Sequence, residues 1–205
     1  MEEITDETRL REIITKPVRA VAEKAVDRVD AESRRFLEAS PFFLLATTGP
    51  EGATDVSPRG DPPGSVLVLD DGRSVAFGDR KGNRRLDSLR NILHDPRVGM
   101  LFLVPGSGDT LRLNGRARIV HHPDFAERLA VSGSVPELAI VVEVEELFLH
   151  CAKAFLRSSL WDTATWPDRR DVPSAGRIAK SQSGVKVPAG VIDAALRLEA
   201  RFNRY

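Results

Sequence analysis

The densest polar run in this chain is Gly78-Asp79-Arg80-Lys81-Gly82-Asn83-Arg84-Arg85. Guanidinium and ammonium groups here sit beside glycines that let backbone N–H groups approach a ligand, and the run falls between a strand and a helix starting near Arg85. That combination suits a phosphate. Cations at a helix start oppose the macrodipole by about 0.3–1 kcal/mol each, and a bound anion would remove that penalty. The alternative is a solvated basic turn, and spacing alone leaves both readings open.

A second cluster, Asp55-Val56-Ser57-Pro58-Arg59-Gly60-Asp61-Pro62-Pro63-Gly64, joins two strands. Short polar side chains among glycines and prolines make a rigid loop able to offer donors and acceptors to a planar polar ring; the simpler reading is a turn with a surface Arg–Asp pair. A third, Leu113-Asn114-Gly115-Arg116-Ala117, lies in a long strand, where Gly115 admits either a ligand or a neighbouring backbone. A fourth groups His150, Cys151 and Lys153 ahead of Trp161. One cysteine and one nearby histidine do not make a zinc site, which needs three or four ligands, so no metal is expected. The chain has no G-x-G-x-x-G, P-loop or G-x-S-x-G signature. No general acid or base is assigned.

The elements that must position these residues read as mainly β with peripheral helices, an α+β chain. Residues 1–40 read as a helical attachment, with Ile13, Ile14, Val18, Val21, Ala25, Val26, Val29, Phe36 and Leu37 recurring at helical spacing and Pro17 dividing it. Residues 41–150 read as a barrel of short strands: 42–48, 53–58, 65–69, 74–78, 98–104, 110–120 and 138–144. The turn chemistry is Gly49-Pro50-Glu51-Gly52 and Asp70-Asp71-Gly72. Leu111, Leu113, Gly115, Ala117 and Ile119 alternate inward against Arg112, Asn114, Arg116 and Arg118. One helix, from Arg85 to Leu93, has the stripe Leu86, Leu89, Leu93. Residues 151–205 hold both tryptophans, a loop rich in Pro, Gly and Ser, and an amphipathic helix near Val191 to Phe202. Short strands mostly joined by tight turns favour a Greek-key barrel over a parallel sheet, so residues 1–205 are expected to form a single domain.

Composition narrows the class. The 205 residues carry 30 basic and 30 acidic side chains, so no general attraction to nucleic acid is expected. A single cysteine forbids an intramolecular disulfide and points to a reducing compartment. The acidic start does not read as a secretory signal and no apolar run is long enough for a bilayer. A cytoplasmic protein is expected.

Taken in order, Phe43 to Ala46, Asp55 to Gly64, Asp79 to Arg84 and Thr110 to Ala117, with His150 to Lys153 and Trp161, resemble a bacterial subgroup of pyridoxamine 5′-phosphate oxidase-related FMN-binding proteins. The resemblance spans roughly residues 30 to 180, and the Ser-Pro-Arg-Gly-Asp and Asp-Arg-Lys-Gly-Asn blocks are its most specific parts. It implies a split β-barrel homodimer with FMN at the subunit interface. Arg80 and Lys81 match the pair that holds the FMN phosphate, with Asn83 and Arg84 beside them. Ser57 and Arg59 match residues along the flavin ring, and Asn114, Lys153 and Trp161 match the partner's ring-covering surface. The C-terminal arginine- and tryptophan-containing pattern that grips pyridoxal phosphate in the true oxidase is not found. The resemblance thus implies an FMN-dependent oxidoreductase and assigns neither substrate nor electron donor. Its rivals are a reductase using the deazaflavin F420, and a flavin- or haem-binding protein without turnover.

Overall fold

Seven strands form one antiparallel sheet in the computed structural model, which describes residues 1–69 and 71–202. Asp70, part of the expected Asp70-Asp71-Gly72 turn, and residues 203–205 of the expected single domain lie outside the described residues. The strands are β1 (Phe42–Thr48), β2 (Thr54–Gly60), β3 (Val66–Val68), β4 (Ser74–Gly78), β5 (Arg97–Leu103), β6 (Thr110–His121) and β7 (Leu138–His150), in spatial order β2-β1-β5-β6-β7-β4-β3. The inward residues of β1, Phe43, Leu45 and Thr47, are buried, as are Leu111, Leu113, Gly115 and Ala117 of β6, so the period of two sets which face meets the core.

The sheet curls. The Phe43 ring on β1 meets the Phe77 ring on β4 edge-on at 5.0 Å, although three strands lie between them in the ladder. It does not close: no ladder joins β2 to β3 among the described residues, although only residues 61–65 separate them in the chain. This open seam is the split of the barrel. Pro58 sits on β2, an edge strand, where its missing N–H costs no ladder bond.

The β6–β7 pair carries a bulge at Asn114/Gly115, where Glu145 on β7 is the extra residue. A Cβ on Gly115 would stand 1.9 Å from the Glu143 carbonyl oxygen, so the close approach that this glycine permits is to backbone. β7 runs on to His150, past the expected end at Val144. Its second half is covered by residues 24–26, through a bridge from Val26 to Leu147 and a bond from Lys24 Nζ to the Leu149 carbonyl at 2.7 Å.

The N-terminal attachment is three short helices, α1 (Glu7–Ile13), α2 (Arg19–Ala22) and α3 (Ala31–Ala39). Asp30 caps α3 by accepting from the Glu32 and Ser33 N–H groups, and Leu37 of α3 is fully buried against the sheet. Ile13, Ile14, Val18 and Val21 are exposed, so the apolar stripe along α1 and α2 finds no cover among the described residues.

Helix α4 (Asp87–His94) crosses β1 and β6 and buries Ser88, Leu89 and Ile92. The expected stripe is therefore out of phase. Leu86 lies outside the helix in the left-handed conformation (φ 61°), which shifts the inward face to Leu89 and Ile92 and leaves Leu86 and Leu93 exposed. The tail forms α5 (Lys153–Ser158), α6 (Ala175–Ser183) and α7 (Ala189–Phe202). α6 and α7 pack tightly at Gly176, whose N–H donates to Asp193 Oδ1 at 2.7 Å. No helix among the described residues is long and apolar enough to cross a membrane.

Candidate functional site at the barrel seam

The alternation of β2 turns Asp55, Ser57 and Arg59 to one face, half-buried, and leaves Thr54, Val56, Pro58 and Gly60 exposed. Ser57 Oγ lies 3.0 Å from Ser88 Oγ, which in turn donates toward Asp55 at 3.4 Å, tying this face to α4. Further along, the same face reaches the seam. There the Arg59 guanidinium meets Asp79 at 3.5 Å, and Arg80 Nε donates to Asp61 Oδ2 at 2.8 Å. The two ion pairs cross: each arginine takes its carboxylate from the opposite side of the split. The simpler reading of the second cluster, a turn with a surface Arg–Asp pair of its own, does not hold, since Arg59 and Asp61 each pair across the split.

The pairs stand beside a cleft of about 440 Å³ whose walls include Phe43, Arg59, Asp61, Phe77, Arg80 and Lys81. Its size lies within the range of small-molecule sites, and its lining combines two phenylalanine rings with charged groups. Among the described residues, three buried polar atoms of this wall have no hydrogen-bond partner: Arg59 Nε, Asp61 Oδ1 and Arg80 Nη1. Buried donors of this kind are rare unless a ligand or water completes them. Arg59 and Arg80 pair with Asp79 and Asp61, and Lys81 on the cleft wall adds a third positive charge, which leaves one over. Burial pushes the Asp79 carboxyl above the usual carboxylate range, although Arg59 and then Arg80 pull it down. Unpaired guanidinium donors and a positive surplus at the rim of an aromatic cleft fit the phosphate and ring of FMN.

The structure gathers Arg59, Arg80 and Lys81 on the cleft and places Ser57 one inward position further along β2. Asn83 and Arg84 follow in an exposed loop, where Asn83 Oδ1 accepts from the Arg85 N–H at 3.0 Å and Arg84 has a positive φ of 62°. The cations do not sit at a helix N-terminus. α4 begins only at Asp87, whose own carboxylate occupies the first turn, so the macrodipole argument for the phosphate does not apply. Asn114 donates to Glu146 Oε2 at 2.6 Å on the β6–β7 pair. Lys153 opens α5, exposed, and Trp161 packs on Phe155 with ring centroids 5.6 Å apart and its Nε1 buried without a partner among the described residues. None of these three lines the cleft of its own chain.

Sequence reasoning missed the roles of Asp61, Asp79 and the Leu129 carbonyl, which accepts from Arg80 Nη2 at 2.8 Å. The two acids lie inside the quoted clusters, but their cross-pairing depends on how the seam brings two distant segments together. Among the described residues no three His, Cys, Asp or Glu side chains are grouped to hold a metal ion, and Cys151 is an exposed thiol.

This split, open antiparallel sheet with a charged cleft at its seam agrees with the sequence profile of the family described as pyridoxamine 5′-phosphate oxidase, which matches residues 29–151. The chain belongs to that family, whose members are flavin-binding and oxidoreductase-like. No curated protein matches it. Similar solved structures include HupZ of Group A Streptococcus, 18% identical over 59% of this chain and 93% of that one, with a TM-score of 0.47. Another is a Clostridium acetobutylicum protein related to general stress protein 26, of the pyridoxinephosphate oxidase family, at 17% identity, 58% and 86% coverage and TM-score 0.43. A third is an F420 reductase, at 21% identity, 57% and 94% coverage and TM-score 0.40.

Proposed function

We propose that this protein is an FMN-dependent oxidoreductase that works as a homodimer, with FMN held at the barrel seam. The observation that carries the reading is the convergence of Arg59 and Arg80 on one aromatic cleft, each with a buried donor left over. When bound, FMN supplies the redox chemistry; the chain's residues bind it, orient it and set the field around its ring. Arg80 Nη1 and the exposed Lys81 ammonium hold the phosphate. Arg59 places a positive charge beside the ring, which favours its reduced form. Ser57 and the following loop with Asn83 and Arg84 border the cofactor. Asn114, Lys153 and Trp161, which lie away from the cleft of their own chain, cover the ring from the partner subunit and exclude water. The uncovered apolar residues of α1, α2 and α7, among them Ile13, Val21 and Leu198, support burial against a second copy.

The visible spectrum of the purified protein, reconstituted with added cofactor, tests the reading. A flavin spectrum that bleaches on rapid mixing with NADH or NADPH is expected. A deazaflavin or haem spectrum overturns the cofactor, and a flavin that no donor reduces makes the protein a binder rather than an enzyme.

A further inference from the structure

We propose that Asp61 is a positioning residue that aims Arg80 at the ligand's phosphate, an inference that rests on the reading of the seam as the FMN site. Arg80 is fixed on two of its three donor positions. Nε donates to Asp61 Oδ2 and Nη2 donates to the Leu129 carbonyl, both at 2.8 Å, and only Nη1 is left, buried and unpartnered among the described residues. A planar guanidinium held at Nε and at Nη2 has no freedom to rotate about its last bonds, so the direction of Nη1 is set before any ligand arrives.

The anchors are themselves anchored. The Asp61 N–H donates to the Pro41 carbonyl at 3.1 Å, at the start of β1, and Leu129 is buried under β3 and β4. Gly78 borders the seat: a Cβ there would lie 3.2 Å from Arg80 Cζ and 2.9 Å from Pro136 Cγ, so a side chain at this position would press on both. The side chains of Arg80 and Asp61 are each only 15% exposed, and Asp61 engages through one oxygen while Oδ1 accepts no hydrogen bond among the described residues. A largely buried ion pair with an unsatisfied oxygen is a poor device for stability. It is a good device for holding a guanidinium in one orientation.

The test is the ratio of FMN to riboflavin affinity, because a merely structural residue would weaken both ligands alike. Fluorescence titration of wild type, Asp61→Ala and Asp61→Asn, each checked for folding by thermal melting, gives three ratios. Alanine is expected to lower the preference for FMN by about three- to tenfold, the range one internal hydrogen bond supports. Asparagine, whose amide oxygen still accepts from Nε, is expected to restore it. Asp61→Ser, too short to reach Nε, carries the alanine expectation if alanine unfolds. An unchanged ratio in the alanine or serine variant overturns the role of Asp61 and leaves the phosphate reading standing. A ratio as low in asparagine as in alanine also overturns it, by making charge rather than aim the cause. Equal FMN and riboflavin affinity in wild type removes the phosphate reading and this inference with it.

Discussion

Arg80 and Lys81 are adjacent in sequence and different in physics. Arg80 is largely buried and bonded on two sides, whereas Lys81 is exposed. Each charge-assisted contact to a phosphate is worth about 1.5–3 kcal/mol, so Arg80→Ala and Lys81→Ala should each weaken FMN binding by roughly tenfold or more. Their stabilities should diverge. Removing Arg80 leaves the Asp61 carboxylate buried and unpaired, at a cost of about 1–3 kcal/mol or more; removing Lys81 leaves nothing unpaired. Urea unfolding beside FMN titration checks both expectations. Equal stability loss in the two variants contradicts the description of Arg80 as a held side chain. The cations were legible in the sequence because they are consecutive. The acids that hold the arginines were not, because Asp61 and Asp79 choose their partners across the seam, which no local pattern shows.

Elements follow the same rule: what depends on local period could be read, and what depends on a break in period could not. β6 alternates cleanly, and its inward face is as expected. β7 reads as ending at Val144 because the bulge at Glu145 inserts one residue and reverses the phase beyond it, so that Leu147 rather than Glu146 turns inward. The bulge makes Gly115 irreplaceable. Gly115→Ala should cost on the order of 1–3 kcal/mol or more through the clash with the Glu143 carbonyl, measured by denaturant unfolding; a neutral effect would mean that the β6–β7 ladder yields at this point. A second prediction sits where α4 joins β5. Hydrogen bonds from the Arg97 side chain and N–H hold the Asp95 carboxyl down at about 2. Its folded value lies below the unfolded one near 4, so its contribution to stability is present above about pH 4 and is lost as pH falls toward 2. Thermal melts of wild type and Asp95→Asn should therefore differ slightly at neutral pH and converge in acid. A gap that widens on acidification contradicts the assignment.

At the scale of the whole molecule, a curled sheet left open on one side gives a cleft with one wall missing. Arg80 and Lys81 line the cleft, where the proposed function puts the phosphate, while Asn114, Lys153 and Trp161 stand elsewhere on the same chain. In the proposed two-fold dimer the second set would be brought onto the first, twice. Mixing Arg80→Glu with Trp161→Ala under conditions that exchange subunits should restore flavin binding in about half the sites of each mixed dimer, since both defects then fall in one site. No recovery despite proven exchange, or a monomer by light scattering, contradicts the shared site. The Greek-key barrel was legible from strand lengths and turn residues. The open seam enters only through the family resemblance, because nothing in residues 61–65 distinguishes a loop that closes a barrel from one that leaves it split.

The claim on which the account turns is that the seam holds its cofactor by the phosphate, and titration of the wild-type protein with FMN and with riboflavin tests it most directly. The two ligands share the ring and ribityl chain and differ only in the group that Arg80 and Lys81 are assigned to hold. FMN is expected to bind at least about tenfold tighter, the equivalent of one charge-assisted contact, and the preference should shrink as salt is raised, since Lys81 is exposed. Equal affinity for the two would contradict the account, and the basic cluster would then be no more than a solvated turn.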